Sequence, residues 1–315
     1  MTTKLTNTGI AYSYYPNLFN IERSFYSNTS RAIFGYGTDG ITDMSITNQV
    51  NNIGLVTTDI TGVPSARNQL AAASYGGNRA IFGFGLSGSY RNDINRVSDT
   101  GIVLAETSGV GTARFALAAA GYGTDKAIFG YGANGPKLSI TNLIANTGEV
   151  ASDTTGVGTA RSSLAAAGYG TDKAIFGYGF SNDYASMTNL VSNTGVVATD
   201  VTGVGTARTQ LAAAGYGGDK AIFGYGTRAE SPQFVSITNL VSNTGVVSGD
   251  TAGVGTARRW LAAAGYGGDK AIFGYGDSGS THSLTNLVSN TGVVVTDTAG
   301  VGTARYALAA ASYSS

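Results

Sequence analysis

The chain has 315 residues, 42% of them apolar, enough to bury a substantial core. Its 19 basic and 19 acidic residues cancel, which excludes the basic footprint of a nucleic-acid binder and the polybasic segment of a protein drawn to anionic membrane. The absence of cysteine excludes disulfides and thiol chemistry, and no apolar run approaches the ~20 residues of a spanning helix.

Taken in chain order, the N-terminal MTTKLTNTG lacks the charged and apolar regions of a secretory signal. Its TTKLTNTG aligns with a later, recurring TNLVSNTG, so it reads as the end of a strand. Arg23 precedes SFYS, a candidate inner strand. From there AIFG recurs at Ala32, Ala80, Ala127, Ala174, Ala221 and Ala271, spaced by 48, 47, 47, 47 and 50 residues. A period in this range marks a solenoid, a propeller or an array. The unit that starts at Arg208 divides into four short strands: A (LAAAGY), B (KAIFGYG), C (SITNLVS) and D (GVVSGD). GGD, NTG and TAGVG stand between them as turns, and glycine, at 47 residues against 4 prolines, supplies those turns throughout. The LAAA run is too short, and too soon followed by GYG, to be a helix. Its small side chains suit the innermost strand of a propeller blade, where all blades converge.

The arginine before strand A gives the blade count. It stands at Arg67, Arg114, Arg161, Arg208, Arg258 and Arg305, with Arg23 as the seventh, and the chain closes on a last strand A, LAAASYSS. The expectation is one domain over residues 1–315: an all-β, seven-bladed β-propeller. Its last blade would be composite, taking strand A from the C-terminus and strands C and D from the N-terminus, so that no free edge remains. Seven A strands against six AIFG copies leave that blade without a strand B. It then has three strands or accepts one from a neighbouring chain.

The arginine, the GYG after strand B and the period near 47 resemble kelch-type β-propellers across nearly the whole chain. The paired glycines of that family are GYG here, and its late tryptophan is absent. Arrays of the AAAGYGGDKAIFGYG kind also resemble repeat proteins of tailed-bacteriophage virions. That resemblance implies a particle component: a tail, fibre or capsid-surface protein.

Six internal copies let the chain be compared with itself. The A–B turn (GGNR, GTDK, GGDK) and the C–D turn (NTG) barely change, while every B–C connection is different. The two residues after each arginine also change. In an up-and-down blade the B–C and D–A connections emerge on the same face, so the variable positions gather there. The candidate contact residues are Tyr90, Arg91, Asp93, Phe115, Asp183, Tyr184, Arg228, Phe234, Arg259, Trp260, His282 and Tyr306. Neutral loop drift yields the same variation. Trp260, the only tryptophan, fits either a plug of the central channel or a contact residue, and His282 reads as an ordinary loop histidine. The arginine ring reads as structural, donating to neighbouring backbone carbonyls.

Catalysis has little to stand on. Cys/His metal sites, including a galactose-oxidase-like copper site, lack their ligands, and a Ser-His-Asp triad has only His282 to draw on. The glycine runs carry no GK[ST] of a phosphate loop. Most acids recur blade by blade, as turn residues do, which leaves acids such as Asp39, Asp43, Asp93, Asp183, Glu230 and Asp277, with Asp93, Asp183 and Glu230 as the carboxylates to test for hydrolysis. The resemblance to virion repeat proteins then implies a non-enzymatic structural component of a phage virion, made in the host cytoplasm and without a cofactor. Its variable face would meet other virion proteins or a host-surface glycan. The alternatives are a free, extracellular lectin-like propeller and, third, a carboxylate-based hydrolase. The sequence leaves the oligomeric state open.

Overall fold

A computed structural model describes residues 30–62 and 65–314. All regular structure among them is β. The strands are β1 (Ser30–Gly35), β2 (Thr47–Val50), β3 (Ala71–Tyr75), β4 (Arg79–Ser87), β5 (Ser89–Val97), β6 (Ala118–Tyr122), β7 (Lys126–Gly130), β8 (Thr141–Ile144), β9 (Ala165–Tyr169), β10 (Lys173–Gly177), β11 (Thr188–Val191), β12 (Ala212–Tyr216), β13 (Lys220–Gly224), β14 (Thr238–Val241), β15 (Ala262–Tyr266), β16 (Lys270–Asp277), β17 (Thr281–Val288) and β18 (Ala309–Ser314). They form six three-stranded antiparallel sheets in repeated units, a β-propeller-like arrangement. Five sheets run A–B–C in sequence, as in β6-β7-β8. The sixth joins β18 to β1 and β2.

That sixth sheet corrects the expected pairing of the chain's end. The C-terminal strand A was assigned to a blade lacking strand B. It pairs instead with β1, the first AIFG copy, in the register used inside each repeat: Gly35 faces Ala309 as Gly130 faces Ala118. A chain that starts its first described repeat at strand B and finishes on strand A supplies both halves of one sheet, so no strand is missing from it. Six sheets thus stand among the described residues where seven were expected. The segments that suggested a seventh, TTKLTNTG and Arg23 with SFYS, lie outside the described residues.

Strand D also differs from expectation. It touches strand C through two isolated bridges per sheet, such as Ile144–Val150 and Thr141–Thr154, rather than as a regular strand. The cause is an asparagine at the third position from the end of each strand C. The Asn142 Nδ2 donates to Ala151 O (3.0 Å), taking a carbonyl that a ladder amide would otherwise use.

The packing explains the repeated letters. In strand A the first, third and fifth residues are buried and the second and fourth face the axis, so β6 buries Ala118, Ala120 and Tyr122. Strand B is buried from its alanine onward, and its AIF side chains fill the space between neighbouring sheets. The first glycine of GYG answers to the next sheet's phenylalanine: a Cβ on Gly130 would lie 2.6 Å from the Phe176 ring. The same contact recurs at every junction, ending with Gly274 against Phe34.

Two belts of main-chain hydrogen bonds cross the junctions. At one end of the inner strands, Ala116 N donates to Gln69 O, Ser163 N to Ala116 O, Gln210 N to Ser163 O, Trp260 N to Gln210 O and Ala307 N to Trp260 O. Gln69 N donates back to Ala307 O, and all six bonds span 2.7–2.9 Å. At the other end a second belt links A–B turns, from Gly76 N to Asp125 O around to Ser314 N on Asn78 O. The first belt marks the variable face and the second the turn face.

Candidate functional site

The variable face is built outward from the six described arginines, Arg67, Arg114, Arg161, Arg208, Arg258 and Arg305, all fully buried. Arg114 shows the pattern. Its Nε donates to Tyr131 O (2.8 Å), Nη1 to Thr112 O (3.1 Å) and Nη2 to Asn142 Oδ1 (2.7 Å). Its guanidinium lies 4.3 Å over the Phe84 ring of the preceding sheet. Burial pulls its pKa down and Asp153 works against that fall, but a guanidinium stays charged at any physiological pH. Arg67 departs from the pattern, with Glu106 at 3.5 Å in the place of an aspartate. The other five are satisfied by main chain and asparagine and hold the GTAR segment in place, while Arg67 donates Nη2 to Asn95 Oδ1 (2.7 Å) and keeps Nε and Nη1 buried without a hydrogen-bond partner among the described residues.

An aspartate completes each of the other five latches. Asp250 accepts from Thr206 Oγ1 (2.6 Å), Thr206 N (3.0 Å) and Asn239 Nδ2 (2.9 Å), with Arg208 at 3.8 Å. Partial burial pushes its pKa up, but these hydrogen bonds and the arginine outweigh it and hold the carboxyl below its ordinary value. Asp59, Asp153, Asp200 and Asp297 are held down in the same way. A carboxyl whose pKa is depressed by folding adds stability that is fully present above its unfolded value and is lost as pH falls through the folded one. The Tm is therefore expected to be flat near neutrality and to drop below about pH 4. Calorimetry should show a shallower acid loss for the Asp153→Asn, Asp250→Asn double variant. An equal loss in both chains would remove the aspartates as its cause.

Beyond each arginine the next residue pairs its main chain with the residue after GYG: Tyr306 with Thr38, Asn68 with Leu86, Phe115 with Ala133, Ser162 with Phe180, Thr209 with Thr227 and Arg259 with Asp277. This pairing brings the B–C loops alongside the two variable residues after each arginine. Several candidate side chains then meet across sheets. Tyr90 stacks on Phe115, rings 5.3 Å apart and 17° from parallel. Arg259 lies 5.2 Å over Phe234 and pairs with Asp277 at 2.9 Å. Tyr184 meets Phe180 edge-on, and Lys137 of the preceding sheet lies 4.9 Å over the same ring.

Other candidates serve their own loops. Arg91 bridges Asp93 (2.5 Å) and Glu106 (3.0 Å), and Asp183 accepts from Tyr184 N. Arg228 donates to Pro232 O (3.0 Å), and His282 Nε2 lies 2.6 Å from Ser278 Oγ. Tyr306 borders the 38–43 loop, where a Cβ on Gly40 would sit 3.5 Å from its hydroxyl. The three carboxylates named for hydrolysis belong to three different sheets, Asp93 within β5 and Asp183 and Glu230 on B–C loops. Phe180, Lys137 and Asp277 lie in the variable B–C connections but were not among the candidate contact residues. Phe180 and Asp277 follow GYG directly, a slot whose role emerges only from its pairing with the next arginine segment.

Along the axis lie two separate cavities. One of about 340 Å3 reaches the turn face, walled by Ala and Gly of the inner strands and rimmed by Lys126, Lys173, Lys220 and Lys270. One of about 70 Å3 lies at the variable face, among Gln69, Ser163, Gln210, Trp260 and a ring of leucines. Among the described residues no three His, Asp or Glu side chains are grouped to hold a metal. The chain matches no protein-family model and no curated protein.

Proposed function

We propose that the six sheets are the blades of a closed six-bladed β-propeller of kelch-like topology, acting as a non-catalytic recognition part. It docks its variable face onto a protein or glycan, as a tail, fibre or capsid-surface component of a phage particle would. One observation carries the reading: the side chains that differ between repeats converge on one face and pair across sheets there. Tyr90 with Phe115 and Phe234 with Arg259 are two such pairs. The turn face repeats the same Asp–Lys pairs, Asp172–Lys173, Asp219–Lys220 and Asp269–Lys270. Drift scatters loop residues; it does not build stacked pairs between separate repeats. A free lectin-like propeller is the second reading, favoured by the half-buried Trp260 at the centre of that face.

Two assays test this reading: a glycan array probed with the purified chain, and copurification with particles at fixed stoichiometry. Binding in either should weaken about tenfold or more in Tyr90→Ala, Phe115→Ala, the loss expected of a central contact pair. It should survive Asn243→Ala, Thr244→Ala on the turn face. The reverse pattern, or silence in both assays, would overturn the proposal.

A further inference from the structure

The two ends of the axis differ in kind. The turn-face cavity is walled by groups that recur from sheet to sheet and are already engaged. Ser74 Oγ donates to Ser312 O (2.8 Å), Ser312 Oγ donates to Gly265 O (2.7 Å), and each rim lysine pairs with the aspartate before it. The recess at the variable face has a repeated leucine floor under a belt of side chains that change from sheet to sheet. The belt that surrounds it carries Gln69, Ala116, Ser163, Gln210, Trp260 and Ala307 in that order. This order sets Trp260 across the axis from Ala116, and Gln69 across from Gln210. All six share a left-handed φ between 51° and 58°, so their side chains leave a rigid ring in the same way. Beneath them lie the leucines that follow each in sequence, all 5–6% exposed.

The recess has an apolar floor, one indole, two amides, one hydroxyl and no charge. An ionised ligand would find no counter-charge there and would lose its hydration. Thr227 Oγ1 shares its proton between Gln210 Oε1 and Thr209 O (both 3.3 Å), and an accepting Oε1 leaves the amide NH2 as the donor to a ligand. The volume of about 70 Å3 is roughly that of two waters. It admits a small group with a carbonyl and a methyl, not a sugar ring. A sugar ring has its own place: its C–H face can lie on the indole at the rim.

We propose that this recess binds a neutral N-acetylated sugar, with the acetamido group inside and the pyranose ring against Trp260. The methyl rests on the leucine floor and the carbonyl accepts from Gln210 and Gln69. The inference rests on the variable face being the recognition surface, and it fixes where on that face, and to which chemistry, binding occurs.

Trp260 is the only tryptophan, so its fluorescence reports on this site alone. The full chain is titrated with chitotriose and with cellotriose, which has the same linkage without acetamido groups. The expected result is a saturable emission change with chitotriose and none with cellotriose. Gln210→Leu should weaken binding about tenfold, the worth of one hydrogen bond. Ala116→Leu should fill the recess and abolish the response. The same backbone conformation carries Gln and Trp elsewhere in the belt, so an unchanged Tm in Ala116→Leu shows that the variant is folded. An indole silent to chitotriose, an equal response to cellotriose, or full binding by Ala116→Leu overturns the proposal. Array binding with a silent indole overturns this site alone. Array binding lost only through turn-face substitutions overturns the reading beneath it as well.

Discussion

Deleting residues 302–315 is expected to leave a chain that no longer unfolds cooperatively. The deletion removes β18 from its ladder with β1 and the belt bonds made by Ala307 and Ser314. It removes Thr303, whose Oγ1 donates to Asp59 (2.6 Å), and Arg305, which donates to Tyr36 O (2.7 Å) and Asn48 Oδ1 (2.8 Å). Apart from the Ala307–Trp260 belt bond, these contacts join the end of the chain to residues some 240–280 positions earlier. Without them β1 becomes a free edge, and Tyr275 loses the guanidinium that covers it. The loss is expected to be on the order of a domain's whole stability, about 5–15 kcal/mol. Thermal melts followed by circular dichroism check this, and a synthetic 302–315 peptide added in trans should restore the transition. A truncated chain that melts near the full-length temperature would mean that these contacts do not close the ring.

Arg208→Ala is expected to cost about 3–5 kcal/mol, the loss typical of breaking a buried charged network. The side chain donates to Tyr225 O (3.0 Å), Thr206 O (3.1 Å) and Asn239 Oδ1 (2.6 Å), and it covers the Tyr178 ring at 4.3 Å. Removing it strands two carbonyls and an amide oxygen in a site with no access to water, and leaves Asp250 without its cation. Arg208→Lys keeps the charge but lacks the fork that reaches three acceptors, so it should recover less than half of the loss. Urea midpoints of the three chains decide the matter. If Lys matches Arg, the charge alone carries the effect and the hydrogen-bond geometry does not.

The period, the all-β class and the strands A, B and C were legible because each rests on local letters: alanines that fit near an axis, AIF that fills an interface, and glycines that turn. The pairing of the last strand was not. LAAASYSS can complete any strand B, and only the register of Ser30–Gly35 against Ala309–Ser314 decides which. Strand D was misread as regular because VVSGD has the composition of a strand. Its ladder is interrupted from outside, by Asn239 of the neighbouring strand donating to Ser248 O (3.0 Å). The variable residues could be located by comparing repeats, but Tyr90 and Phe115 lie in different repeats, and no spacing within one of them announces a stack.

The seam between β1 and β18 has a mechanical consequence. In the other five sheets strands A and B are joined directly by a turn. Ser30 and Ser314 are register partners at the same end of their ladder, beside the turn face. A pull on those two residues would therefore load the hydrogen bonds one after another, as a zipper opens, rather than all together in shear. Under tension the ring should part at this seam first and at low force, while the variable face, at the far end of the same strands, would be the last part of the seam to feel it.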